Sequence, residues 1–559
     1  MSIFFLNILV IHLIIFSYGA FFYNFFLKEK ISKNNLSEIS LNGIIILSFF
    51  SLIINFLLPL NKVIGSCILI IGCIYFLIIL KFNQELIKKI LKNIFLTSFL
   101  SALILSYSNI YRPDAGLYHL PFISLLNESK IVIGSVNINF RFGATSIIQY
   151  LSAIQNNYIF DIKSISIPIA SIFSFTIYFL FQKILKALRS EKTIQNTFIF
   201  LICCLCLISF GRFSNYGNDA VSHLFYFILT VLIIENYKEL FFDIKKFIKV
   251  SLICIFLFST KAFMLMIIII PIIIFVFHKN KKGIIYNLNT IFISFLFICW
   301  ILRTILISGC AIYPLERTCL KNLNFYDHEQ TLLEAKSGEA WAKDWVNQKG
   351  DILEFKQYNQ NFNWLYVWKN NHLKKIGEKT SPFLFFLMIF TLSLINNKKK
   401  LKKKLPNEFF FIFFISLFFS ILWFLKFPLY RYGLAFLMIS LISIVIYFQN
   451  QLNLLSDKSK LSSLFRFFLF ICVLIFISKN ILRIHQNISN KTNGLWPDIY
   501  SEKNDYKINI FKEIRSNDKF LYLFSEGRLC MYSMPPCSNY EIKNLNKEII
   551  YNYKIYRKN

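Results

Sequence analysis

Long uninterrupted apolar runs, separated by short polar or lysine-rich breaks, dominate the pattern along this chain. The runs lie at 3–26, 42–60, 63–82, 93–109, 162–184, 194–211, 220–237, 248–260, 262–278, 284–306, 381–397, 407–425, 432–449 and 464–480. A bilayer core takes about 20 mostly apolar residues per helix. The runs are continuous and do not alternate with period two, which excludes a transmembrane barrel and predicts helices. The expected fold is an all-α polytopic membrane protein with about 14 transmembrane helices. Lys261 divides the apolar region 248–278 into two short pieces, and reading it as one interrupted span would reverse the side of everything downstream. The opening run lacks a basic leader and an A-x-A cleavage site, so it is expected to be retained as a helix.

Six segments follow. Transmembrane helices fill 1–109, and 110–161 is an external loop with two short interfacial helices. A transmembrane core occupies 162–306, an external cap loop 307–380, further transmembrane helices 381–480 and an external tail 481–559. The tail alternates apolar and polar residues around KFLYLFS, which predicts a small α/β appendage. No internal repeat is evident.

Composition agrees, with 56% hydrophobic and 16% charged residues. The net charge of +31 would suggest nucleic acid in a soluble protein. Here KEKISKNN, QELIKKILKN, KALRSEK, YKELFFDIKKFIK, HKNKKG, NNKKKLKKK and QLNLLSDKSK all fall on one side when fourteen spans alternate. The positive-inside rule makes that side the cytoplasm, so the expected partners are membrane lipids and not nucleic acid.

Eight cysteines sit in the predicted spans, where thiols act as small apolar groups. The other four form two close pairs, Cys310 with Cys319 and Cys530 with Cys537, both on the non-cytoplasmic side. An oxidising compartment would close each as a local disulfide, with four free thiols as the alternative. There is no C-x-x-C or H-E-x-x-H spacing, and Asp327-His328-Glu329 reads as a solvated turn, so no metal and no cofactor are expected.

Residues 110–154 are too polar for lipid and too apolar for a free loop. Ala115 to Leu126 and Phe142 to Ile154 read as short amphipathic helices along the membrane face, the first with Asp114 at its N-cap. They would hold Asp114, His119 and Arg141 where a lipid headgroup meets water. This external loop, with an Asp soon after an early span and the string D-x-x-x-Y-H-L-P over Asp114–Pro121, resembles GT-C glycosyltransferases. Dolichyl-phosphate-mannose protein mannosyltransferases, bacterial lipid-A aminoarabinose transferases and uncharacterised bacterial membrane proteins carrying the string share that layout. The resemblance covers roughly the first 440 residues. It implies transfer of a sugar from a polyprenyl-phosphate donor at the periplasmic face of a bacterial inner membrane. The loop has no D-x-D or E-x-D pair.

That chemistry needs a base on the acceptor hydroxyl and cations on the departing phosphate. Asp114 is the candidate base, with inversion at the anomeric carbon. Arg112, Arg141, Arg212 and Arg431 are the external arginines suited to bidentate phosphate binding, with Arg141 and Arg431 leading. Lys261, alone between apolar runs, and His119 and Asp219 complete the substrate-binding set. Plainer readings stand beside these. Asp114 and Asp219 could be helix caps, His119 a packed loop residue, Arg431 an interfacial anchor and Arg303 a snorkelling arginine. Trp341, Trp345, Trp364 and Trp368 in the cap loop suit a headgroup belt or sugar stacking. A transporter or flippase for lipid-linked saccharides is a second class, although neither repeats nor broken helices at midplane stand out. A surface-polysaccharide polymerase or ligase is a third.

Overall fold

A computed structural model describes residues 2–108, 114–160, 162–187, 192–209, 219–347, 350–395, 405–490, 494–497, 512–516, 520–524, 529–533, 535–539, 542 and 544–558. A helix stands at each of the fourteen expected spans. Among the described residues nine helices are long and apolar enough to cross a membrane. The other five positions hold Ile87–Leu105, Thr193–Ile208, Ile244–Phe258, Lys374–Leu394 and the shorter apolar helix Ala262–Phe277. Lysines in the first turns of three of these, such as Lys88, Lys245 and Lys374, shorten the apolar window.

The outer faces explain what solvent the fold requires. Exposed apolar side chains repeat at helical spacing as Ile70, Ile74 and Leu77, as Phe410, Phe414, Leu417 and Ile421, and as Phe467, Phe470, Leu474, Ile477 and Ile481. Continuous stripes of this kind are stable against lipid and not against water. Between helices, small and polar residues do the joining. A Cβ on Gly19 would lie 1.9 Å from Ile39 O and one on Gly43 1.8 Å from Ile15 O, so Ser2–Phe21 and Leu36–Leu57 cross backbone to backbone. His12 joins three helices through Thr97 at 3.0 Å, Ser101 at 3.1 Å and Ser171 at 2.9 Å.

The first loop differs from expectation. Its helical parts are a π-turn over Ala115–His119 running into Leu120–Glu128, then Ile148–Ala153 after a 3-10 turn at Phe140–Ala144. Every residue from Leu120 to Asn127 is buried, so these helices do not lie along an open membrane face. The tail covers them. The preceding helix continues to Ser489, and the rest of the described tail is strand and loop with no further helix. Strands Lys512–Ser516 and Phe520–Phe524 pair antiparallel, and Cys537–Ser538 adds in parallel. The hairpin Leu545–Ile550 and Tyr553–Lys558 hydrogen-bonds to the first loop, Ile133 N to Lys554 O at 3.0 Å and Tyr556 N to Ile133 O at 2.9 Å. The expected α/β appendage is therefore a β element built into the first loop.

Both disulfides, Cys310–Cys319 and Cys530–Cys537, are formed. The cap loop folds around helices His328–Ala342 and Ile352–Asn359, whose N-caps are Asp327 and Asp351. Trp364 and Trp368 are buried, with Trp368 Nε1 donating to Pro428 O at 2.7 Å, so they pack in the protein and not in a headgroup belt.

Candidate functional site

The helix Ile244–Phe258 ends where Ser259 and Thr260 turn their hydroxyls back onto Ile255 O and Leu257 O. Lys261 is extended, and the chain re-enters as a 3-10 turn at Ala262. The apolar run is thus a broken helix, and the break frees the lysine side chain. Thr260 Oγ1 lies 2.8 Å from Ser222 Oγ, which sets the first turn of Asp219–Asn236 beside it. Lys261 Nζ then sits 3.4 Å from Asp219 Oδ1.

Arg431, at the start of Tyr430–Gln451, closes the group. Its carbonyl accepts from His223 Nε2 at 2.7 Å, fixing that helix start against the Asp219 helix. Three nitrogens of the guanidinium are used, Nη1 to Asp114 Oδ2 at 3.3 Å, Nε to Asp219 Oδ2 at 3.8 Å and Nη2 to Tyr432 OH at 3.1 Å. Trp341 of the cap loop lies 5.4 Å from Arg431 Cζ, and Tyr118 lies 5.9 Å from Lys261 Nζ, both as ring contacts. Four charges from four distant stretches of chain therefore meet, two carboxylates balanced by two cations. The narrow cavity beside Lys261, about 50 Å³, runs past Thr145, Trp300 and Thr304.

The two carboxylates are not equivalent. Asp219 is 23% exposed and held between both cations, whereas Asp114 is 40% exposed and, among the described residues, has a single ion-pair contact. Asp114 makes no side-chain cap to the helix it begins, which excludes the N-cap role. Asp219 opens its helix, and its carboxylate serves the ion pairs. Arg431 is a cluster member and not a lipid-facing anchor.

His119 is 1% exposed and adjoins the cluster. Burial, then the charges of Lys261 and Arg431, hold its imidazole far below the usual histidine range, so it is neutral. Gln149 Nε2 donates to His119 Nδ1 at 2.6 Å, while Gln149 Oε1 accepts from Ser146 N and fixes the amide. Arg141 stands apart. It is half-buried over Phe140, and among the described residues it makes no ion pair with Asp114 or Asp219. Its acidic neighbour is Glu334 of the cap helix, whose carboxyl burial pushes up to about 7 against the opposing pull of Arg141. Arg112 and Arg212 lie outside the described residues.

Some members were not legible in the pattern. Tyr118 and Tyr432 read as ordinary aromatics, and Trp341 as a sugar-stacking or headgroup-belt ring, until the fold puts them on the cations. Arg303 does not snorkel. It is fully buried, donates to Tyr150 OH at 3.1 Å, to Thr145 Oγ1 and to Phe142 O, and lies 4.7 Å from the Trp300 ring, because the first loop folds over the end of its helix. Met531 N donates to Gly116 O at 2.9 Å, so the Cys530–Cys537 loop braces the turn that follows Asp114. Among the described residues no group of three or more His, Cys, Asp or Glu side chains converges.

The fold and the apolar outer faces define an integral membrane protein of many helices. The chain belongs to the family described as a domain of unknown function, DUF8201, which matches residues 1–438 and so includes all four charged members of the cluster. No curated protein and no solved structure matches it.

Proposed function

We propose that this protein is a GT-C-type glycosyltransferase that moves a sugar from a polyprenyl-phosphate donor to an acceptor on the non-cytoplasmic face. The proposal takes all fourteen helices as crossing the membrane of a bacterial inner membrane. The observation that carries it is the meeting of Asp114, Arg431, Asp219 and Lys261 at the helix ends beneath the cap loop. The two disulfides and the lysine-rich opposite loops support the orientation.

In the reaction the acceptor oxygen bonds to the anomeric carbon as the carbon–phosphate oxygen bond breaks. Asp114, the more exposed carboxylate, takes the hydroxyl proton. The phosphate departs with its electron pair onto Arg431 and Lys261, which Asp219 keeps oriented. Arg431 exchanges Asp114 for phosphate oxygens as their charge grows, releasing the base. Trp341 closes the site from the cap loop. The test is transfer from a panel of radiolabelled polyprenyl-phosphate sugars by purified protein in liposomes. Release of lipid phosphate with inverted product supports the reading, and no bond cleavage across the panel refutes it.

One observation favours a transporter instead, the helix broken at Lys261 beside a charge cluster. Movement of labelled lipid-linked saccharide between leaflets without cleavage would establish that reading.

A further inference from the structure

The Asp219–Asn236 helix carries a second charged group at its other end. Glu235 lies 16 residues beyond Asp219, about 24 Å along an α-helix. Its partner is Lys183 at 2.5 Å. Likewise Lys249, twelve residues before Lys261, pairs with Glu38 at 3.2 Å and Glu29 at 2.8 Å. These side chains line or back a cavity of about 470 Å³ on the lysine-rich face, remote from Asp114. A cavity of that size accommodates a small-molecule headgroup.

Two independent features make it anion-binding. The lining carries five lysines against three glutamates, and the carboxylates behind it are engaged with lining side chains, Glu29 with Lys249 at 2.8 Å and Glu408 with Gln195 at 2.7 Å. Lys186, exposed at the edge, has no acidic partner among the described residues. Secondly, three helices begin here, Leu36–Leu57, Thr193–Ile208 and Ile244–Phe258. The first two have no side-chain cap on their N-termini. Free N–H groups and the positive dipole ends of helices favour negative charge.

We infer that this cavity is a second binding site, for a phosphate-bearing group, on the face opposite the Asp114 cluster. Lys183 and Lys249 are held in place by their glutamates, and Lys186 and Lys246 at the rim complete the phosphate contacts. The site does not depend on what the Asp114 cluster catalyses.

The phosphate can come from a soluble compound or from a lipid headgroup, and the test has an arm for each. Full-length protein in zwitterionic nanodiscs is titrated with inorganic pyrophosphate by calorimetry. In parallel, binding of phosphatidylglycerol is measured by native mass spectrometry. The rim variant combines Lys186→Gln and Lys246→Gln, both outside the helix core. Saturable pyrophosphate binding weakened at least tenfold in the variant supports a soluble ligand. Phosphatidylglycerol binding alone, weakened to the same degree, supports a lipid headgroup. Asp114→Asn is expected to bind as wild type in either arm. Binding equal in wild type and rim variant, binding lost with Asp114→Asn, or no saturable binding in either arm overturns the inference.

Discussion

Replacing Asp114 by Asn separates structure from chemistry at the proposed site. The side chain keeps its shape and loses one charge. Among the described residues its folded-state contribution is a single 3.3 Å contact with Arg431 at 40% exposure, with no helix cap to lose. A partly exposed pair of this kind contributes about 0.2–1 kcal/mol. Loss of a general base costs about 10²–10⁴ in rate, which is about 3–5 kcal/mol of barrier. The two effects therefore differ severalfold, and the substitution is expected to leave thermal stability almost unchanged while turnover falls at least a hundredfold. The assay pairs thermal unfolding in detergent with donor turnover in liposomes, and adds direct binding of the lipid-phosphate donor. Binding should persist or tighten slightly, because Arg431 is released from its carboxylate. Wild-type turnover in Asp114→Asn would remove Asp114 as the base. A large loss of stability would show that the pair is structural.

Other consequences are equally open to measurement. Arg431→Lys retains the charge but supplies one nitrogen where three are used, so donor binding should weaken about tenfold or more, read from KM and direct binding, with correct folding. Glu334 favours its protonated form in the folded cap, so its stabilising contribution is complete below the unfolded carboxyl range near 4.5 and is lost as pH rises through about 7. After allowance for its partial exposure this is about 1–2 kcal/mol, and Glu334→Gln should flatten hydrogen exchange of the His328–Ala342 helix between pH 5 and 8. Gly116→Val would drive a Cβ to 2.5 Å from Met531 Sδ and shift the turn after Asp114, so turnover should fall while the helix bundle still assembles, as seen by circular dichroism. Reporter fusions should place 398–406 in the cytoplasm and 340 and 540 outside, and 540 found in the cytoplasm would remove the external site.

The apolar runs alone were enough to locate the nine long apolar helices among the described residues, because a membrane span is a local property: twenty apolar residues satisfy their own backbone wherever they sit. The two cysteine pairs were legible for the same reason, each being close in sequence. Asp114, Lys261 and Arg431 stood out as charges at the ends of apolar segments. That Asp114 faces Arg431 across 317 positions, and that Asp219 bridges both cations, depends on which helix ends pack together. No local pattern encodes that choice. Arg303 reads as a snorkelling arginine until the first loop folds over it. The tail reads as a separate appendage, since the hydrogen bonds joining Ile133 to Lys554 and Tyr556 are backbone contacts that leave no mark on residue type. Residue chemistry along the chain sets what each segment can bury, whereas long-range packing selects which charges share a site.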